Sequence, residues 1–173
     1  MRFDADEGFD AREVANLILD RFNPTEFQIT NLKINKLLYF AHGFYRARFG
    51  KRLIRNHFEA WENGPVVKVI FDAFKKNGAE PITNSALIYD YLKESHIPAG
   101  FEHIPEEDIE YIDNVISYYV KFSARELVGL THRPGTPWTR ARNAERGMRL
   151  RDRIPDEWIN EFFVENFGSR VGN

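Results

Sequence analysis

The 173-residue chain has no cysteine. That absence removes disulfide scaffolds, thiolate zinc sites and cysteine nucleophiles together, and it suits a reducing compartment. Long apolar runs are missing too: no stretch approaches the roughly 20 residues that cross a bilayer. The opening segment "MRFDADEGFD" is acidic and lacks the apolar centre of a secretory signal. A soluble, cytoplasmic protein is expected. Neither sign of charge is in excess: 24 Lys and Arg face 26 Asp and Glu, for a net charge of −2, so general polyanion binding gains no support. Catalytic signatures are lacking as well, with no HExxH, GxSxG, GxxxxGK[ST] or GxGxxG. "HFE" at 57–59 matches half of a zinc deaminase signature whose other half needs cysteines. No pair among His42, His57, His96, His103 and His132 has ligand spacing. Neither a metal nor an organic cofactor is expected, and the chain does not read as an enzyme.

What is present is a globular composition, 43% hydrophobic and 14% aromatic with 15 Phe. The length suits one domain, 1–173, with a core over about 10–167 and short flexible termini. Helical spacing dominates. Residues 10–22 form an amphipathic helix capped by Asp10, with Glu13 at the reciprocal capping-box position. Thr30 caps a second helix over 30–49, whose buried stripe is Ile34, Leu37, Leu38, Ala41 and Tyr45 and whose αL stop is Gly50. This should be the central helix. Leu53-Ile54 and 57–61 read as two short strands with a turn at Arg55-Asn56. Pro65 then suits the first position of a helix that ends at Gly78. "SALIYDYLKES" reads as one short helix inside an otherwise unpatterned stretch, 79–104. Further helices are expected from Pro105, from Ser123 with Glu126 in a second capping box, over 137–147 and over 155–167. The fold class is therefore mainly α: a single compact helical domain with a short β-hairpin near residues 53–61.

Two surface patterns invite a functional reading. On the second helix, Lys36, Tyr39, His42 and Arg46 share a stripe opposite the core stripe. It is either a plain wet face, or a contact patch, or a set of bulky groups fitted under Trp61 and the Gly64-Pro65 corner. Basic residues dominate from Lys121 to Arg153, while acidic ones gather at 102–113 and 156–165. These blocks either pair across the fold or present the basic segment to an acidic partner. A nucleic-acid reading lacks the aromatic spacing and helix-turn-helix pattern it needs.

Three blocks resemble a known family. "LKINKLLYFAHGFYRARFGKRL" at 32–53 is similar to the Leu-Lys-Leu-x-Lys-Leu-Leu-Tyr-x-Ala-x-Gly helix of the Panacea domain, found in SocA-like antitoxins and phage-associated GepA-type proteins. "FEAWENGPVVKVIFDAFK" at 58–75 resembles its Glu-Ala-Trp-x-x-Gly-Pro-Val block, and "SARELVGLTHRPGTPWTRAR" at 123–142 its Ser-Ala-x-x-Leu-x-x-Leu-Thr-His…Pro-Trp block. The resemblance covers about 10–165. It implies an antitoxin that neutralises a toxin, encoded in the same operon, by direct protein contact. It also implies, for some members, an adaptor delivering the toxin to an AAA+ protease. Leu37, Leu38, Glu59, Gly64, Pro65, His132, Pro137 and Trp138 are then expected to hold the scaffold together.

Partner choice is expected where the resemblance fades, in 79–104, with Tyr89, Tyr91, His96 and Phe101 as anchors. The second candidate surface is the Lys36, Tyr39 and His42 stripe with Trp61. A nucleic-acid-binding regulator or a phage-associated hydrolase stands as the alternative function.

Overall fold

The computed structural model describes residues 7–144 and 152–168. In chain order the described elements are helices α1 (Ala11–Arg21) and α2 (Asn31–Phe49), strands β1 (Glu59–Trp61) and β2 (Gly64–Val66), and helix α3 (Lys68–Phe74), followed by a 3₁₀ turn Lys75–Asn77. Strands β3 (Leu87–Asp90) and β4 (Ser95–Pro98) come next, then helices α4 (Glu106–Tyr119), α5 (Ala124–Thr131), α6 (Pro137–Arg142) and α7 (Asp156–Phe167). The fold is mainly α, with two antiparallel two-stranded hairpins.

The helix ends obey the local chemistry. Asp10 and Ser123 each accept from the N3 amide while Glu13 and Glu126 answer the cap amide, so both capping boxes form. Thr30 accepts from the Lys33 amide, and Gly50 closes α2 at φ 68° in the left-handed region.

Helix α2 is the axis of the molecule and meets α1, α3, α4, α5, α7 and β2. Ile34, Leu37, Leu38 and Ala41 are sealed from solvent, and Phe40 stacks on Tyr119 at 4.4 Å between ring centroids. Burial runs right round the helix. Lys33, Lys36, Tyr39 and His42 are as hidden as the leucines, so the stripe opposite the core is not a wet face. Gly43 shows how close α7 comes: a Cβ there would lie 2.2 Å from the Phe163 ring.

Four local expectations are corrected. The first hairpin lies further along the chain, pairing Glu59 with Val66 and Trp61 with Gly64, and its turn is Glu62-Asn63. Ile54 instead bridges Phe9 in parallel, with the Phe9 amide donating to the Leu53 carbonyl at 2.7 Å. Pro65 therefore sits in a strand, and the helix it was expected to start begins at Lys68. "SALIYDYLKES" forms no helix; it contributes β3 and the turn of the second hairpin, because the Asp90 side chain accepts from the Leu92 and Lys93 amides and fixes a reversal. Helix α6 stops at Arg142, and the rest of the stretch expected to be helical over 137–147 passes out of the described residues at 145. Asp152 and Ile154 run along β1, with the Ala60 amide donating to Asp152 at 2.7 Å and the Ile154 amide to Phe58 at 2.8 Å.

Candidate functional site

All three motif blocks converge on one corner. Gly64 has φ 99°, and a Cβ on it would lie 2.7 Å from both Lys36 Cε and Thr131 Oγ1. Only a residue without a side chain leaves room for Lys36, whose Nζ donates to the Pro65 carbonyl at 2.8 Å. Lys36 is 0% exposed, and no carboxylate among the described residues forms an ion pair with it. Burial pushes its ammonium down to about 7.

On the other side of the hairpin the Trp61 Nε1 donates to Glu59 at 2.7 Å, and its ring lies 4.9 Å from that of Phe71. The Trp61 carbonyl accepts from Trp138 Nε1 at 2.7 Å. His132 packs on Trp138 at 3.7 Å, with Nε2 3.1 Å from the Glu62 carbonyl and Nδ1 2.8 Å from the Val128 carbonyl. Thr136 ties the loop by donating to the Thr131 carbonyl at 2.6 Å, and Pro137 begins α6 in a buried position. The contacts of Glu59, Gly64, Pro65, His132, Pro137 and Trp138 are thus made within the protein, as are those of Leu37 and Leu38 in the core. A groove of about 380 Å³, lined in part by Trp61, Phe71, Asn31 and Asn35, opens beside the corner.

Tyr39 and His42 lie deeper than sequence reasoning placed them. The Tyr39 ring packs edge-on against Phe58 and Phe163, and its hydroxyl has no hydrogen-bond partner. Burial raises that hydroxyl's pKa strongly. His42 Nδ1 accepts the Ile54 amide at 3.2 Å, so the ring proton sits on Nε2 and is donated to Asp156 at 3.3 Å. Asp156 also meets Arg52 at 3.0 Å and Arg46 at 3.4 Å. Burial would raise the Asp156 carboxyl, but the His42 hydrogen bond and the two guanidinium groups outweigh it and hold it below its ordinary value. For His42, burial prevails over Asp156 and lowers the imidazole, which stays neutral near pH 7. With Nδ1 engaged and the ring sealed, this pair anchors α7 and offers no base to a substrate. The polarity of Lys36 and His42 that suggested a wet stripe is met by backbone and by Asp156, and sequence spacing alone carries no signal of that.

The second hairpin has the opposite character. Leu87, Tyr89, Tyr91 and Leu92 are all exposed, Tyr91 by 83% and Leu92 by 98%. Tyr89 stands edge-on to Tyr91 at 5.0 Å and to His96, its cross-strand neighbour, at 5.3 Å. The base is held firmly. Asn16 donates to the Ala86 and Ala99 carbonyls, both at 2.9 Å, and accepts the Ala86 amide at 2.8 Å. Arg12 reaches the Leu87 carbonyl at 3.3 Å. Phe101 departs from the group, since it is half-buried and packs on the core. Tyr89, Tyr91 and His96 therefore form one surface, while Lys36, Tyr39 and His42 form none.

The charge blocks pair in part: Arg140 meets Glu161 at 2.9 Å and lies 4.0 Å above the Trp158 ring. Asp113 of the other acidic block pairs instead with Arg21, outside the basic segment. Among the described residues no three His, Asp or Glu side chains cluster as a metal site would require. No described helix is long and apolar enough to cross a membrane.

The described residues thus combine a closed polar corner, a helical frame and one projecting apolar hairpin. The chain belongs to the family of SocA-like antitoxins with the Panacea domain, which matches residues 34–139, from α2 through the corner and the exposed hairpin into α6. It is 37% identical over 154 residues to Antitoxin SocA of Caulobacter vibrioides (strain NA1000 / CB15N), covering 86% of this chain and 81% of that protein. No solved structure matches.

Proposed function

We propose that the chain is the antitoxin of a toxin–antitoxin pair and neutralises a protein toxin by direct contact, with the β3–β4 hairpin as the principal contact. Family membership supports the antitoxin role. The observation that carries the mode of action is the contrast between the motif corner, whose polar groups are used internally, and the hairpin, which leaves Tyr89, Tyr91 and Leu92 in solvent. Large side chains with few rotatable bonds lose little freedom on binding and bury much area. A rigid base under an exposed tip lowers the ordering cost further.

The test is co-expression with the product of the adjacent gene, scored for growth rescue and for a copurifying complex. Tyr91→Ala with Leu92→Ala should leave folding intact and weaken the complex. Undiminished rescue by that double variant would move the binding surface elsewhere, with the groove beside Trp61 as the next candidate. Delivery of the toxin to an AAA+ protease is a further step of the same reading. It requires toxin turnover to depend on this chain in cells that contain the protease.

A further inference from the structure

A cavity of about 360 Å³ lies between the start of α4, the end of α2 and the segment before α1. Phe9, Tyr45, Phe49 and His103 line it, with Asp108, Glu107, Lys51 and Arg52. Phe9 and His103 form one tilted ring pair, 6.0 Å apart, and Tyr45 and Phe49 form another at 4.6 Å. Asp108 is the unusual member. It is only 8% exposed, its Oδ1 accepts the Tyr45 hydroxyl at 2.8 Å, and no Lys, Arg or His among the described residues pairs with it. Of the two basic residues in the lining, Arg52 is committed to Asp156, and Lys51 is exposed. The amino end of α4 offsets part of the Asp108 charge. A buried carboxylate beside aromatic rings still presents what an organic cation needs: a counter-charge and π faces.

We propose that this cavity receives one arginine side chain of a bound protein. The volume accepts a single long side chain, and a guanidinium can meet the carboxylate while lying against the rings. A protein is favoured as the source because the cavity and the exposed hairpin share a neighbour, the start of α1. Both flank the first turn of α1, where Glu13 meets His103 at 3.4 Å on the cavity side and Arg12 holds Leu87 at the hairpin base. One partner can thus cover the hairpin and place an arginine in the cavity. The inference rests on the partner-binding reading above.

The probe is N-acetyl-arginine methylamide, titrated into the full chain and followed by amide NMR. Saturable shifts at Phe9, Tyr45, Phe49 and Asp108 are expected, weakened at least about ten-fold by Asp108→Asn, since losing one charge of a desolvated pair has effects of that order or larger. Asparagine can still accept the Tyr45 hydroxyl. A second variant, Phe49→Ala, removes a cavity wall that is 41% exposed and should weaken the shifts while circular dichroism still reports a folded chain. In parallel, the complex with the adjacent gene product should dissociate at least about ten-fold more readily with Asp108→Asn. A complex that forms equally well with both variants, together with no saturable shifts, overturns the cavity proposal and leaves the antitoxin reading standing. Absence of any complex sinks the antitoxin reading, and the titration alone then decides the cavity. Putrescine saturating the same resonances at lower concentration than the arginine derivative would overturn the assignment in favour of a small amine.

Discussion

Lys36 places an ammonium where no described carboxylate meets it, and the pH dependence of stability should show it. In the unfolded chain the group titrates near 10.5, in the folded protein near 7. Between those values the unfolded state binds the extra proton, so folding is favoured as pH rises through the window and the gain is lost as pH falls toward 7. Relative to Lys36→Met, the wild-type protein should gain more than about 1 kcal/mol between pH 7 and about pH 9.5, since each tenfold difference in proton affinity corresponds to about 1.4 kcal/mol. Urea denaturation at both pH values measures this, and parallel behaviour of the two proteins would show an ammonium with ordinary proton affinity. Tyr39 poses a milder case. Its hydroxyl is buried and unsatisfied, so Tyr39→Phe should be neutral or stabilising. A loss above about 1 kcal/mol in thermal unfolding would reveal a partner for that oxygen.

Among the elements, α2 is the one on which the others depend. Leu37→Ala or Leu38→Ala should cost about 2–5 kcal/mol, as for fully buried leucines elsewhere, and a cost below about 1 kcal/mol at both would make the helix peripheral. Gly43→Ala is the sharper test of the α2–α7 contact. Its new methyl would meet Phe163, and overpacking of this kind costs about 1–3 kcal/mol, read as a lowered urea midpoint.

The same helix shows how far sequence reading reaches. Its caps, length and apolar stripe were legible because capping and the 3.6-residue period are local properties. Its burial on every side was not, because Lys33, Lys36 and His42 are satisfied by carbonyls and a carboxylate contributed from distant parts of the chain, Val120, Pro65 and Asp156, with Phe27 nearby as a second acceptor for Lys33. Pro65 was misplaced for a similar reason. A proline can open a helix or occupy a two-stranded edge, and only Lys36 beneath it separates the two. In "ALIYDYLKES", Leu87 and Tyr89 face solvent while Ile88 and Asp90 are half-buried, an alternation of burial that the residue types themselves do not carry. Aromatic density points to Tyr89, Tyr91 and His96 in the sequence, and the structure shows them exposed and side by side on a hairpin in place of the expected helix. Asp108 went unnoticed because an acidic first turn is commonplace.

At the scale of the molecule, the hairpin is attached to the frame mainly through Asn16 and Arg12 at its base. Replacing residues 89–96 with a two-residue Asn-Gly turn, which keeps Ile88 opposite Ile97 and so preserves the base, should therefore change the unfolding free energy by no more than about 0.5 kcal/mol, the usual range for surface changes. Toxin retention should fall sharply. Loss of folding in circular dichroism would mean that the tip supports the core, while intact neutralisation would clear the hairpin of a binding role. A broader exchange over 84–101 is a poorer test, since it also removes the Ala86 and Ala99 groups that satisfy Asn16.

The placement of α7 has a consequence for synthesis. Phe163 packs against Tyr39, Phe40 and Phe44, so the aromatic face of α2 is covered by a residue that leaves the ribosome more than a hundred positions later. Until then the emerging chain carries a bare aromatic ridge, the kind of surface that proteases and chaperones engage. Protection should thus arrive in one late step, and a chain halted at residue 144 should be degraded much faster than one reaching 168. Pulse–chase labelling of the two lengths reads this directly; equal lifetimes would mean that the earlier helices shield α2 unaided. An interrupted round of translation would then yield no partly useful protector: the supply of working molecules would track completed synthesis alone.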